Sequence, residues 1–280
     1  MNHFTVILNQ PETVKQTTGG KMGKKVVLFL VDGMRPDALA EAETPIMDKM
    51  MAEGCFTLAG QTVMPSITLP CHTSLFFSVA PTRHGILTNS WHPLARPLPG
   101  LFDQLHKHDL LCASFYNWEQ LRDLSSPGAL SASVMLDNLD QPVGAADLEL
   151  TRVALDWLMT HDFDFAFIYL GQTDEVGHHE NWMSAPYLES VAAADRCMGV
   201  VMESLPADVN YFVTADHGGH DQHHGTPMKV DMRIPILALE PDVPVGHPLK
   251  EDASIMDIAP TITAIFDIKN PRQWAGKALF

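Results

Sequence analysis

The sequence predicts an α/β fold, organised as a three-layer sandwich around a largely parallel sheet. Two observations support this prediction. Short, continuous apolar runs alternate along the 280-residue chain with longer segments that have the apolar periodicity of helices, a pattern typical of parallel strands joined by crossover helices. In addition, an aspartate lies at or just beyond the end of three of these runs, at the edge where open α/β sheets bind ligands.

The first predicted strand is the apolar run from Val26 to Val31 in "KKVVLFLVDG". The run is too short for a lone helix and rich in β-branched residues, so we expect a strand that is covered on both faces. The next segment, "ETPIMDKMMAEG", predicts a helix in which Thr44 is the N-cap, Pro45 lies in the first turn and Gly54 ends the helix.

The rest of the chain continues the alternation. Further strands are predicted in "CFTLAGQTV", "LLCASFYNW", "DFAFIYLG", "NYFVTADHG" and "MRIPILALEP". Helices are predicted from Pro70 onward in "MPSITLPCHTSLFFSVA", and in "AADLELTRVALDWLMTHD", "PYLESVAAADRCMGVVMESL" and "SIMDIAPTITAIFDI". No internal repeat, low-complexity tract or clear linker divides the sequence.

The composition excludes some classes of partner. The chain has 34 acidic and 18 basic residues and a formal net charge of −16, so it lacks the basic footprint of a nucleic-acid-binding protein. The cysteines Cys55, Cys71, Cys112 and Cys197 form no CxxC pair and are expected to be reduced thiols. No run is long enough for a membrane span or a secretory signal. We therefore expect a cytoplasmic protein without a membrane partner, and its oligomeric state stays open.

Three of the apolar runs lead into aspartates, namely Asp32, Asp174 and Asp216. An aspartate after a strand is a common loop residue, so each one alone says little. Three carboxylates delivered to one sheet edge by separate strands would repel one another, however, unless positive charge lies between them. The set of three therefore predicts a site for cations.

The stretch "TADHGGHDQHHGTP", residues 214–227, adds four histidines to this region. His217 directly follows Asp216, and His178 stands four residues after Asp174. Mixed sets of carboxylate oxygen and imidazole nitrogen suit zinc or a similar transition metal, whereas sets of oxygen alone suit magnesium or calcium. The pattern predicts divalent ions, with zinc expected first and manganese as the alternative.

A hydroxyl nucleophile is available in "PSITLPCHTS". Ser66, Thr68, Thr73 and Ser74 lie just before or within a predicted helix N-terminus, which favours negative charge and phosphate groups. A hydroxyl that touches a metal there would ionise more easily and could attack phosphorus. Helix capping is the alternative role for each, and this stretch alone does not choose among the four.

Several motifs occur in the order seen in the alkaline phosphatase superfamily. They are "LFLVDGMRPD", "TPIMDKMMAEG", "MPSITLPCHTSLFFSVAPTRHGILTN", "TDEVGHH", "TADHGGH" and "IMDIAPTITAIF". Together they resemble most the nucleotide pyrophosphatase/phosphodiesterase branch of that superfamily. The resemblance implies one alkaline phosphatase-like catalytic domain over residues 25–280, preceded by a segment, residues 1–24, that adds an edge strand or is partly ordered.

The resemblance also implies a site for two zinc ions. One ion would be bound by Asp32, Asp216, His217 and the nucleophile oxygen. Thr68 matches the nucleophile in the family's Pro-x-x-Thr-x-Pro pattern, which makes it the expected nucleophile and a metal ligand. Asn89, in "HGILTN", matches the asparagine that donates a hydrogen bond to a phosphoryl oxygen.

The other ion would be bound by Asp174, His178 and a later histidine. His224 is the expected third ligand, because "HGTP" followed by "MRIPILALEP" resembles the family's final His-Gly element and the strand beyond it. His220 and His223 are expected not to bind metal, since His223 lacks the following glycine and His220 follows a flexible glycine pair.

The implied function is metal-dependent hydrolysis of small anionic phosphate compounds, either phosphodiesters or nucleotide pyrophosphates, through a covalent phospho-threonine. Phosphonate (phosphonoacetate-like) and phosphomonoester hydrolysis are the alternatives within the superfamily. Cys71 stands where the branch usually has asparagine, and the branch's long insertion before the final histidine is missing, so the substrate stays open. The sequence "CHTSL" does not fit the sulfatase motif, and the spacing leaves little room for a phosphomutase cap. A non-catalytic metal-binding protein would need neither Thr68 nor Asn89.

Overall fold

The structure of the chain is a computed structural model that describes residues 4–8, 24–94, 97–239, 247–250 and 252–280. The described strands are β1 (Phe4–Leu8), β2 (Lys25–Val31), β3 (Cys55–Gln61), β4 (Cys112–Tyr116), β5 (Ala132–Leu136), β6 (Phe165–Leu170), β7 (Val209–Thr214), β8 (Arg233–Leu239) and β9 (His247–Pro248). The described helices are α1 (Pro45–Glu53), α2 (Thr68–Phe77), α3 (Pro81–His84), α4 (Leu101–His106), α5 (Ala145–Thr160), α6 (Gln172–Glu180), α7 (Ala185–Ser204), α8 (Lys229–Met232) and α9 (Ile258–Ile265).

These strands form one sheet in the order β1-β5-β4-β6-β2-β7-β8-β3-β9. The strands from β5 to β7 in this order are all parallel. By contrast, β8 runs antiparallel to both β7 and β3, and β1 runs antiparallel to β5. The predicted α/β fold with a largely parallel sheet is therefore confirmed. Within the described ranges, no helix combines the length and the apolar character that crossing a bilayer requires.

Helices cover both faces of the sheet. On one face, Phe167 of β6 packs against Phe76 of α2, with ring centroids 4.9 Å apart. Phe115 of β4 pairs in register with Ile168, the next residue of β6, and paired residues share a face while successive residues alternate. Phe115 therefore points to the opposite face, where its ring lies 5.9 Å from that of Trp157 in α5. This is the predicted three-layer arrangement.

The start of α1 shows where local pattern and tertiary structure differ. The helix begins after Thr44, as predicted, but the Thr44 side chain caps no backbone amide. The carboxylate of Asp195, on α7, instead accepts hydrogen bonds from the amides of Ile46 (3.1 Å) and Met47 (2.8 Å). Thr44 is therefore the N-cap residue, as predicted, but the carboxylate of a residue far away in sequence satisfies these donors.

Helix α2 and strand β5 also differ from the sequence prediction. Helix α2 begins at Thr68 rather than Pro70, which the chain tolerates because a proline in the first turn removes no helical hydrogen bond. Strand β5 was not predicted, since its buried and half-buried residues alternate and give no continuous apolar run. The segment containing Asp174 and His178 is helix α6.

The N-terminal segment contributes the outermost strand on one side of the sheet. Phe4–Leu8 pairs antiparallel with β5, from Phe4 opposite Leu136 to Leu8 opposite Ala132. Residues 1–3 and 9–23 of the predicted segment lie outside the described residues. The division into a segment of residues 1–24 and a domain of residues 25–280 stays a prediction.

His84, at the end of α3, fixes the loop that leads to Asn89. Its Nδ1 accepts a hydrogen bond from the amide of Ile86 (3.1 Å), so its Nε2 carries the proton and donates to Ser74 Oγ on α2 (3.0 Å). Burial lowers the pKa of His84 from 6.5 to about 4. The imidazole is therefore neutral in the native protein at neutral pH.

This burial predicts a loss of stability in acid. The native state takes up the His84 proton only near pH 4, whereas the unfolded chain takes it up near 6.5. The free energy of unfolding should therefore fall as the pH drops from about 6.5 toward 4, with this residue contributing on the order of 2 kcal/mol at pH 5. Urea unfolding of metal-free protein gives the free energy of unfolding at pH 7 and at pH 5. The difference between these two values should be smaller by about that amount in His84→Gln. An unchanged difference in the variant would contradict this account.

Candidate metal centre

Three neighbouring strands deliver three carboxylates to one edge of the sheet. Asp32 directly follows β2, Asp216 lies two residues after β7, and Asp174 lies in the first turn of α6, four residues after β6. Because β2 lies between β6 and β7, the three side chains meet. Asp32 and Asp216 are completely buried, and the Asp174 side chain is 16% exposed.

Each of the three carboxylates has one oxygen without a hydrogen-bond partner among the described residues: Asp32 Oδ1, Asp174 Oδ1 and Asp216 Oδ2. For two of them the second oxygen is held by the protein. Asp32 Oδ2 accepts a hydrogen bond from the Tyr169 hydroxyl, and Asp216 Oδ1 accepts from the amides of Gly33 (3.1 Å) and His217 (2.9 Å). Buried oxygens without a donor are costly. These orphaned atoms fit cations held between the carboxylates.

The electrostatics of the cluster lead to the same conclusion. Burial, followed by the charges of Asp216 and Asp174, raises the pKa of Asp32 well above its usual value. Burial and the charge of Asp174 raise the pKa of Asp216 to about 7. For Asp174, burial opposes ionisation, but the hydrogen bond with His178 and nearby imidazoles lower its pKa. Without added positive charge, the three groups cannot all be ionised comfortably at neutral pH.

Three histidines near these carboxylates share one orientation. In each, Nδ1 lies within hydrogen-bond distance of a backbone carbonyl oxygen: His178 with Gln222 (2.9 Å), His217 with Gly218 (2.8 Å) and His224 with Ser66 (2.9 Å). A carbonyl can only accept, so Nδ1 carries a proton in each ring, and Nε2 has a lone pair for a metal whenever the ring is neutral. Backbone contacts of this kind fix the tautomer that a metal needs.

Two groups of three side chains have ligand atoms within 4.8 Å of one another in the described part of the chain. Asp32, Asp216 and His217 form the first group, the same three residues expected at one site. Asp174, His217 and His224 form the second, in which His217 takes the place expected for His178. His178 nevertheless lies close by, with its Nε2 3.3 Å from Asp174 Oδ2. Both groups combine oxygen and nitrogen donors, which suits zinc and similar ions.

Among the candidate hydroxyls, that of Thr68 faces this cluster. Thr68 is the first residue of α2, and its Oγ1 lies 3.3 Å from His217 Nε2. The other candidates bond elsewhere: Ser66 Oγ donates to Thr226 O (2.9 Å), Thr73 Oγ1 donates to Leu69 O (2.7 Å) and Ser74 Oγ pairs with His84.

Asn89 lies beside the start of α2. Its Oδ1 accepts a hydrogen bond from the amide of Leu69, the residue after Thr68, at 3.0 Å. Pro70 has no N–H, and the amide of Cys71 donates to Ile67 O (3.0 Å). The Leu69 amide is thus engaged with Asn89 in this structure, and only the Nδ2 group of Asn89 is left to donate.

The remaining residues singled out by the sequence belong to neither group of metal-capable side chains. His220 Nδ1 is 2.7 Å from Asp231 Oδ1, and His223 is exposed. Cys71, the departure from the family pattern, is buried 3.1 Å from the hydroxyl of Thr62.

Sequence reasoning missed the aromatic side chains that hold the cluster. The Tyr169 hydroxyl donates to Asp32, while Trp182 Nε1 and the Tyr187 hydroxyl both donate to Gly33 O at 2.8 Å. A tyrosine near the end of the apolar run "FAFIYL" was a usable signal, because a buried hydroxyl needs a partner. The other two contacts join residues about 150 positions apart, and no local sequence pattern predicts them.

Family models match most of this chain. The model described as Metalloenzyme superfamily matches residues 113–270, and the model described as type I phosphodiesterase/nucleotide pyrophosphatase matches residues 26–104. The first match covers more than half of the chain and implies divalent metal cofactors.

Curated relatives match over about half of the chain. The 2,3-bisphosphoglycerate-independent phosphoglycerate mutase of Clostridium kluyveri is 28% identical over 138 residues, which is 47% of this chain and 26% of that enzyme. The corresponding enzyme of Rhodopirellula baltica is 29% identical over 147 residues, 50% of this chain and 26% of that enzyme. The matched part therefore spans about a quarter of the length of these mutases.

Solved structures share the fold over nearly the whole chain. An inactive form of murine ectonucleotide pyrophosphatase/phosphodiesterase 5, in complex with AMP, has a TM-score of 0.73 and 14% identity, covering 89% of this chain and 96% of that one. The phosphonate monoester hydrolase of Silicibacter pomeroyi has a TM-score of 0.69 and 16% identity, covering 91% and 76%. Such low identity shows a common fold only. The family models and the shared fold together establish that the chain belongs to the metalloenzyme superfamily. It is a member of the alkaline phosphatase superfamily and is similar to the nucleotide pyrophosphatase/phosphodiesterase branch.

Proposed function

We propose that this protein hydrolyses phosphodiesters or nucleotide-like phosphoanhydrides with two divalent metal ions and Thr68 as the nucleophile. The observation that carries the proposal is the position of Thr68. Its hydroxyl stands at the N-terminus of α2, 3.3 Å from His217 Nε2, where the carboxylate and imidazole groups converge. A hydroxyl in this position combines a helix N-terminus for the phosphate with neighbours that can hold metal.

The residues present fit two ions. Asp32, Asp216, His217 and Thr68 would hold one ion, and Asp174, His178 and His224 the other. When bound, the ions supply positive charge that favours the ionised hydroxyl and offsets charge on the phosphoryl oxygens. The mixed oxygen and nitrogen donors support zinc, with manganese as the second choice.

The chain's own residues perform the displacement in two steps. Thr68 Oγ1 gives up its proton and attacks phosphorus, while the bond from phosphorus to the leaving oxygen breaks and that oxygen keeps the electron pair. The product is a phospho-threonine diester, and the leaving oxygen takes up a proton, so that a phosphodiester releases an alcohol and a phosphoanhydride releases a phosphate. Attack by water on the same phosphorus then releases the phosphate monoester and restores the Thr68 hydroxyl.

Asn89 is proposed to hold the phosphoryl group through its Nδ2, because its Oδ1 already accepts from Leu69 N–H. A donor fixed in this way requires little reorganisation when charge builds on a non-bridging oxygen. For the Leu69 amide to donate to phosphate as well, its hydrogen bond to Asn89 must open.

Two observations support a phosphodiester or nucleotide-like substrate. The family model for type I phosphodiesterases matches the part of the chain that contains Thr68 and Asn89, and a structure with the same fold was solved with AMP. The proposed location is the cytoplasm, in keeping with four cysteines that are all buried thiols. Phosphonate and phosphomonoester hydrolysis stay as alternatives at the same site.

The first prediction from the proposed function concerns the nucleophile. Thr68→Ala should abolish turnover and leave the fold intact, since the change removes a buried hydroxyl without altering the helix. Steady-state assays with a chromogenic diester, with circular dichroism as the fold control, provide the measurement. Thr68→Ser restores a hydroxyl and should recover part of the activity. If Thr68→Ala kept more than a few per cent of wild-type turnover, direct attack by water would be the better description.

The second prediction concerns charge on the substrate. Arg35 pairs with Asp37 and donates to Gly219 O (3.2 Å), and Arg83 is exposed, so neither is poised to bind a monoester dianion. Methyl p-nitrophenyl phosphate should therefore have a higher kcat/KM than p-nitrophenyl phosphate, which carries the same leaving group. A higher value for the monoester would overturn this preference.

The third prediction concerns metal content. His224→Ala should lose about one equivalent of metal relative to wild type, because it removes one of the three protein ligands proposed for the second ion. His223→Ala is the matched control, since His223 is an exposed histidine next in sequence and should keep both equivalents. Mass spectrometry of protein purified without added metal measures the ratio. Loss of metal from His223→Ala but not from His224→Ala would show that the ligand is misassigned.

A further inference from the structure

A fourth buried aspartate lies near the metal centre but takes no part in the carboxylate cluster. Asp231, in α8, has no exposed surface. Its Oδ1 lies 2.7 Å from His220 Nδ1, and its Oδ2 accepts hydrogen bonds from the amide (3.0 Å) and hydroxyl (2.7 Å) of Thr226. Both oxygens therefore have protein donors, unlike those of the three clustered aspartates, and Asp231 is not placed to bind an ion.

The partners of Asp231 mark the two ends of a short loop. Between them, the backbones of His220 and His223 exchange two hydrogen bonds, each 2.8 Å long, and close a tight turn. His224, a proposed ligand, follows this turn and stands two residues before Thr226. The Asp231 carboxylate thus ties together both ends of the segment that carries His224.

The tip of the turn contacts the end of α6. The carbonyl of Gln222 accepts the hydrogen bond from His178 Nδ1 (2.9 Å), which fixes the ring of that proposed ligand. The carbonyl of Asp221 accepts from the amide of Trp182 (2.8 Å), and the Gln222 side chain donates to His179 O (3.0 Å). The position of the turn therefore decides the orientation of His178 as well as the position of His224.

We propose that Asp231 is a positioning residue for the second metal ion, acting through the loop from His220 to Thr226. The inference rests on the proposed function. It is specific to one ion, because His217 is fixed independently of the Asp231 side chain. The His217 amide donates to Asp216 Oδ1, and the amide of Gly218 donates to the backbone carbonyl of Asp231 (2.9 Å), which no side-chain substitution removes.

The isosteric change Asp231→Asn tests this role. An amide has one acceptor oxygen where the carboxylate has two, so at least one of the donors from His220 and Thr226 loses its partner. Changes to residues that orient metal ligands typically weaken metal binding 10- to 100-fold. We expect Asp231→Asn to bind one zinc ion with wild-type affinity and the other at least about tenfold more weakly. His220→Ala is a milder change at a partly exposed residue and should lower the affinity for the same ion by a smaller factor. His223→Ala should bind both ions with wild-type affinity.

The measurement is a zinc titration of metal-free protein against a chromophoric chelator, with circular dichroism as the fold control. The double variant Asp231→Asn/His224→Ala identifies the ion. The tighter site of the double variant should have the same zinc affinity as the tighter site of His224→Ala, because both changes act on the same ion. The positioning role of Asp231 would be overturned if Asp231→Asn bound both ions equally more weakly than wild type. It would also be overturned if both Asp231→Asn and His220→Ala bound two ions with wild-type affinity. Either result would leave the proposed function standing. A wild-type protein that binds fewer than two ions would instead contradict the proposed function, and this inference with it.

Discussion

The structure depends on balancing the repulsion among three carboxylates at one sheet edge, those of the buried Asp32 and Asp216 and the partly exposed Asp174. Two unit charges about 4 Å apart interact by about 4 kcal/mol at an effective dielectric constant near 20, and Asp32 and Asp216 have oxygens within 4.8 Å of one another. An interaction of this size is a large fraction of the whole stability of a domain, about 5–15 kcal/mol. The chain must therefore either keep protons on these groups, as the raised pKa values of Asp32 and Asp216 indicate, or hold cations between them. The orphaned oxygens fit the second solution.

The surrounding protein is arranged around that requirement. Parallel strands place the aspartates at one edge, and an aromatic layer of Tyr169, Trp182 and Tyr187 holds the backbone and one carboxylate in place. Backbone carbonyls fix the tautomers of the three histidines. Helix α2 then brings the Thr68 hydroxyl to the same point. A phosphate group is the ligand for which a helix N-terminus beside bound cations is best suited.

Much of the fold and the centre of the site follow from local sequence pattern, because an apolar run sets a strand and the next polar residue falls at the sheet edge. Asp32, Asp216 and His217 could be predicted in this way, and Thr68 followed from a motif. What sequence did not predict depends on contacts between distant residues. The side chain of Asp195 rather than that of Thr44 caps α1, Tyr169 bonds Asp32 from a neighbouring strand, and Asp231 closes the loop around His224. The periodicity of apolar residues along the sequence does not predict such contacts.

Anomalous diffraction from crystals of the zinc-loaded wild-type protein, recorded above and below the zinc edge, shows whether two cations lie among these carboxylates. We expect two strong peaks at the carboxyl edge of the sheet, each about 2.0–2.3 Å from its protein ligands. The expected ligands are Asp32, Thr68, Asp216 and His217 for one peak and Asp174, His178 and His224 for the other. A zinc-saturated crystal with no peak among these carboxylates, or with a single one, would contradict the claim that two cations balance the cluster.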